Sequence, residues 1–144
     1  MNTFIVGSNV DGSVGNNDYY LKIIGEHHVA LVYYNKSGSI EREFNKIQQG
    51  DLIIVAYGSN KNKRCFYAGY AQSSNKGVFV LNGEELASGH IYLNDFTSLS
   101  NYNIQFNENN AYGQSRQPAA VYQLYETNPA DKAVIDQIVN ILKY

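Results

Sequence analysis

Tryptophan is absent from this 144-residue chain, methionine and cysteine occur once each, and proline occurs twice. Each scarcity excludes something. A single cysteine, Cys65, cannot build an internal disulfide framework. It lies in the run Arg64-Cys65-Phe66-Tyr67, which reads as a strand, so a buried and inert thiol is expected rather than a nucleophile. Two prolines leave no Pro-rich linker, and no repeat or low-complexity segment is present. Charged side chains are only 17% of the chain and the net charge is −2, which argues against an indiscriminate grip on duplex DNA. No apolar run reaches the ~18 residues of a membrane span. The opening Met1-Asn2-Thr3-Phe4 has neither a charged nor a long apolar leader region, so a soluble cytoplasmic protein with no membrane partner is expected.

Catalytic signatures are missing too. His27, His28 and His90 match no common zinc spacing, and only one cysteine is there to join them. Gly12-Ser13-Val14-Gly15 is too short for a phosphate or dinucleotide loop, and no Gly-x-Ser-x-Gly occurs. Glu84, Glu85 and Asp95 have no partner base in view. The expectation is a binding protein with no catalytic residue, no metal and no cofactor.

What the chain does have is tyrosine: thirteen, beside six phenylalanines, with hydrophobic residues at 44%. Tyrosine suits pleated, half-buried surfaces and brings a hydroxyl that seeks a partner, so a β-rich globular protein is indicated. The length suits one domain over residues 1–144. Charge is uneven: residues 36–76 hold seven basic and three acidic side chains, a net of +4, which leaves −6 for the rest.

Strands are expected over residues 3–7, 28–34 and 39–44. Next come two strands joined by the polar turn 58–63, and further strands at 77–81, 90–96 and 119–125. Asn82-Gly83 is a turn signal, and residues 101–106 are ambiguous. Asp18 before a short apolar run that ends at Gly25 suggests a helix over 18–24. The last helix is the best marked. Asn128 is its N-cap, Pro129 sits in the first turn and Asp131 at the positive end, and Val134, Ile135, Ile138, Ile141 and Leu142 form one apolar stripe.

Three stretches carry a resemblance: Phe4-Ile5-Val6-Gly7-Ser8-Asn9, the hairpin 52–71 entered through Gly50-Asp51 and ending Tyr67-Ala68-Gly69-Tyr70-Ala71, and Phe106-Asn107-Glu108-Asn109-Asn110 followed by Gly113-Gln114-Ser115-Arg116. Their order resembles the PUA-like superfamily, and within it the EVE and YTH domains. The resemblance implies an α+β pseudo-barrel of five to seven mostly antiparallel strands with a C-terminal helix. It also implies a non-enzymatic module that recognises a modified nucleobase or nucleotide in an aromatic pocket. The partner would then be nucleic acid containing a modified base. The alternative is a protein that sequesters a small free or cyclic nucleotide. YTH domains cage a methylated adenine between Trp rings. This chain has none, so either a Tyr and Phe cage or a different ligand is left open.

Candidate ligand contacts are Ser8, Asn9, Asn107, Asn109, Ser115 and Arg116 for hydrogen bonding, and Phe4, Tyr33, Tyr57 and Tyr112 for stacking. Lys61, Lys63 and Arg64 on the hairpin are candidates for a nucleic-acid backbone. Arg116 lies between a polar loop and a strand, where a guanidinium can fork onto a phosphate or a base edge. Arg116→Ala should therefore weaken nucleotide binding by about 1–3 kcal/mol with little change in melting temperature. Unfolding with unchanged affinity in the folded fraction would make it a structural pin.

Overall fold

Residues 3–7 and 52–58 are apolar at nearly every position, a composition suited to strands with no solvent face. The computed structural model describes residues 1–8, 17–33, 38–58, 63–106 and 121–143. Its elements follow in the order β1 (Thr3–Gly7), α1 (Asn17–His27), β2 (Val29–Val32), α2 (Ser39–Asn45), β3 (Leu52–Gly58), β4 (Lys63–Ala71), β5 (Phe79–Leu81), β6 (Glu84–Ala87), β7 (Gly89–Ser98), β8 (Gln105–Phe106), β9 (Val121–Leu124) and α3 (Pro129–Leu142).

The main sheet runs β2-β7-β4-β3-β1-β9, with β8 pairing the first residues of β4. β1 and β3 pair in parallel; the other described pairs are antiparallel. The sheet curls until Cα atoms of β2 come within 8 Å of β1, although among the described strands β2 pairs only with β7. The result is an α+β half-barrel with a C-terminal helix, and a separate β5-β6 hairpin beside it.

Two cores lie on opposite sides of the central strands, sorted by the period-2 alternation of side chains. Phe4, Val6, Ile53 and Val55 point inward, where α1, β2 and α2 add Ile24, Leu31 and Phe44. Ile5, Leu52, Ile54 and Ala56 point outward against Val134, Ile135 and Ile138 of α3. The expected cap is in place: Asn128 Oδ1 accepts from the Ala130 and Asp131 N–H groups at 2.9 and 3.3 Å. Asp131, itself buried, turns its carboxylate back to the Tyr125 N–H at 3.1 Å and ties α3 to the end of β9.

One expected strand is a helix. Residues 39–44 form α2, which packs beside β9. Ile40, Phe44 and Ile47 are spaced for one helical face, whereas alternation would have put Arg42 between Ile40 and Phe44 on the buried side. The helix over 18–24 is present but runs past Gly25 to His27. The ambiguous stretch 101–106 is a turn followed by the two-residue β8, and β6 lies in a stretch for which no strand was expected. Asn82 and Gly83 have φ of 53° and 79°, the left-handed pair that joins β5 to β6.

Gly25 sits inside α1 because Tyr67 presses on it. A Cβ there would lie 2.6 Å from the Tyr67 hydroxyl and 3.2 Å from Cζ. Alanine gains about 1 kcal/mol of helix propensity, but the clash is expected to outweigh it and leave Gly25→Ala destabilised by about 1–3 kcal/mol. Most of that cost should vanish in a Tyr67→Phe background. Urea unfolding of the single and double variants measures the coupling, and strictly additive costs would rule this close approach out.

Candidate functional site

The register of β1, β3, β4 and β8 assembles a row of side chains at one end of the half-barrel. Val6 is opposite Val55, both facing the inner core. Two residues further along each strand are Ser8 and Tyr57, on that same inner side. Tyr57 is directly opposite Arg64, and Arg64 opposite Gln105, so these pairs share a face as well. Tyr57, Arg64 and Gln105, with the buried Ser8 next to them, thus mark one end of the half-barrel, its mouth, beside the apolar layer of Val6, Val55 and Tyr67.

Ser8 is fully buried, and its N–H donates to the Ala56 carbonyl at 3.1 Å. Tyr57 is half-buried and Gln105 exposed. Arg64 is partly committed. Its Nη2 donates to the Ser100 carbonyl at 2.9 Å, and its guanidinium lies 5.4 Å from the centre of the Phe66 ring, a cation–π distance. Among the described residues its buried Nε–H has no acceptor and no carboxylate pairs with it.

Other expected contacts are placed differently. Phe4 is completely buried in the inner core, where it packs rather than lines the mouth. Tyr33 follows β2, which runs opposite in sense to β1, so it leaves the sheet at the other end, with 54% of its surface exposed. Lys63 opens β4 opposite Phe106 at the rim. Asn9, Lys61, Asn107, Asn109, Tyr112, Ser115 and Arg116 lie outside the described residues. Their segments, 9–16, 59–62 and 107–120, are nevertheless rooted on the rim: at Ser8, between Gly58 and Lys63, and between Phe106 and Val121.

Tyr67 and Phe96 belong to this region and were not singled out from the sequence. Counting by twos from Arg64 puts Phe66 on the inner face. A bulge between the Ala56–Cys65 and Val55–Tyr67 pairs turns Tyr67 inward instead. A second irregularity, across Ala68 to Tyr70, lets β7 bulge against Gly69, where a Cβ would lie 2.8 Å from the Asn94 carbonyl oxygen. There Asp95 adopts φ 54°, and Phe96 stacks on Tyr67 at 4.9 Å. Nothing in the local sequence beyond Gly69 itself signals this.

The histidines are split between two ring clusters. His27 and His90 flank Phe79, and the His90 Nδ1 meets the Gly77 carbonyl, while His28 stacks on Phe96. Among the described residues no group of three His, Cys, Asp or Glu side chains is placed to hold a metal, and no helix is long and apolar enough to cross a membrane. Burial, then the nearby Asp95 charge, raises the Tyr70 hydroxyl on the outer face. Burial lowers the Lys76 ammonium, against the opposing pull of Asp51.

Cys65 sits beneath the rim in the outer core, fully buried, and burial pushes its thiol from 9.0 up to about 12. The unfolded chain then releases this proton at lower pH than the folded one. Its contribution is complete below about pH 9 and is lost as pH rises toward 12, at up to ~1.4 kcal/mol per pH unit. Urea midpoints between pH 8 and 11 should fall faster for the wild type than for Cys65→Ala. Parallel slopes would mean that the thiol titrates freely in the fold.

Comparison with protein-family models, curated proteins and solved structures finds no match to this chain.

Proposed function

We propose that the chain is a non-enzymatic binding module of PUA-like architecture that takes a single modified nucleobase or nucleotide into the mouth of the half-barrel. The observation that carries this is the rim itself. Adjacent strands bring a phenol ring, a guanidinium and an amide to one inner face, with a buried serine and an apolar layer beside them. Small-ligand sites have this character: an apolar pocket with a few convergent polar groups. A base in a mouth of this kind is read only when splayed or flipped out of its stack, its ring on an aromatic side chain and its edge on donors and acceptors.

Arg64 supports an anionic group on the ligand. A guanidinium with no carboxylate partner among the described residues, anchored on Ser100, is suited to a phosphate oxygen. Expected site contacts in 9–16, 59–62 and 107–120 are rooted around the same rim, as this reading requires. Sequestration of a free nucleotide uses the same chemistry and is decided by the same measurement.

The test is binding of short single-stranded DNA and RNA, with and without base modifications, and of the free mononucleotides, by fluorescence polarisation at low salt. Tyr57→Ala should cost about 1–3 kcal/mol in affinity. Arg64→Ala should lower affinity modestly and flatten its salt dependence. Binding confined to free mononucleotides would favour sequestration, and no binding of any of them would sink the proposal.

A further inference from the structure

His28 closes α1 in an unusual way. Its N–H donates to the Ile24 carbonyl at 2.9 Å and its φ is 56°, the left-handed position after a helix where glycine is the unstrained residue. An imidazole kept there needs a reason beyond chain direction. Part of it is packing: the ring lies almost parallel to Phe96, 8° apart with centres at 4.4 Å. Phe96 in turn stacks on Tyr67, at 4.9 Å and 24°. The three rings form a ladder from the floor of the mouth to the surface.

The ladder is fixed at both inner steps. Tyr67 is wedged against Gly25 of α1, and Phe96 is aimed by the bulge pressed into Gly69. Its outer step is open: His28 is exposed, and among the described residues its ring makes no hydrogen bond and contacts no ring but Phe96. A rigid, pre-positioned aromatic face with unused ring nitrogens is the chemistry on which single-stranded nucleic acids stack a base, whatever its identity.

We infer that the outer face of His28 is a second stacking site, which takes a nucleobase flanking the one held in the mouth. This rests on the proposed reading of the mouth and adds the substrate class: a strand, not an isolated nucleotide. The ladder gives the two sites a common rigid support, so the flanking base is selected by position along the strand and not by its edge.

The experiment is a cycle between His28→Gly and removal of one base. Affinities are measured for a single-stranded pentanucleotide carrying the base preferred by the mouth at its centre, and for versions abasic at each other position in turn. His28→Gly relieves the left-handed strain, so the variant should melt no lower than the wild type. It should bind the intact pentanucleotide roughly five- to a hundredfold more weakly. It should match the wild type on one abasic version and on the isolated mononucleotide. His28→Phe, which keeps a ring, should retain most of the affinity. If the wild type binds the pentanucleotide and His28→Gly binds it equally well, this inference is overturned and the mouth reading stands. If the wild type binds no strand or nucleotide, both fall together.

Discussion

β1 and β3 are apolar on both sides, and that creates a problem their own side chains cannot solve. In an ordinary half-buried strand a slip of one residue drives the apolar face into water, so hydrophobic patterning fixes the register. Here a slip only exchanges Phe4 and Val6 for Ile5, one core residue for another. The register needs a polar device, and Asp51 supplies it. Its buried carboxylate accepts from the Asn2 N–H at 2.9 Å and the Gln48 N–H at 2.8 Å, while the Leu52 N–H donates to the Asn2 carbonyl at 2.9 Å. The Asp51 carbonyl takes the Ala71 N–H, and Gly50, at φ 89°, returns its own N–H to the Ala71 carbonyl. The entry to β1, the entry to β3 and the exit of β4 are thereby locked to one another.

The rim depends on that lock. Ser8 and Tyr57 face the mouth because they stand an even number of residues from Val6 and Val55, and Val6 and Val55 face inward because Thr3 is held opposite Leu52. A slip of one residue on β1 would turn Ser8 toward the outer core, where a hydroxyl gains nothing. Gly50-Asp51 is therefore distant from the site and still sets its geometry. Two bulges act on top of this register: the one in β4 rotates Tyr67 inward, and the one in β7 admits Phe96 beside it.

Where the sequence was legible, local physics and tertiary demand agreed. Asn128-Pro129 with Asp131 marks the start of α3 because each residue solves a local problem of a helix end. Asn82-Gly83 marks its turn because both residues tolerate positive φ. The hairpin 52–71 shows itself through two apolar runs about a polar tip. Legibility failed where a tertiary contact decided. Gly25 reads as a helix stop, yet it is a helix interior chosen for the Tyr67 hydroxyl. Residues 39–44 read as a strand, a weak signal over so short a span, and the inner core selects instead the helical face with Ile40 and Phe44. The inward turn of Tyr67 follows from a bulge, which alternation cannot anticipate. Of the residues at this end, Ser8 and Tyr57 were ligand candidates in the sequence and Arg64 a backbone-contact candidate; Gln105 was not a candidate, because β8 is two residues long and its pairing depends on the turn before it.

The electrostatics of the rim bear on what enters the mouth. Under the proposed reading, Arg64 is the one formal charge of the four-residue row, set against the ring of Phe66 and opposite Tyr57. Among the described residues its buried Nε–H has no acceptor, so the hydration it would have in water is not replaced by them. An incoming oxygen with negative charge restores that lost interaction. A neutral ring edge restores part of it, and a cationic ligand adds repulsion where screening by water is weakest. The same reasoning separates this site from a purely aromatic cage, whose ring faces favour positive charge. On the proposed reading, rings would supply the apolar layer and the flanking ladder, and charge recognition would fall to Arg64, whose Nη2 is already anchored on the Ser100 carbonyl.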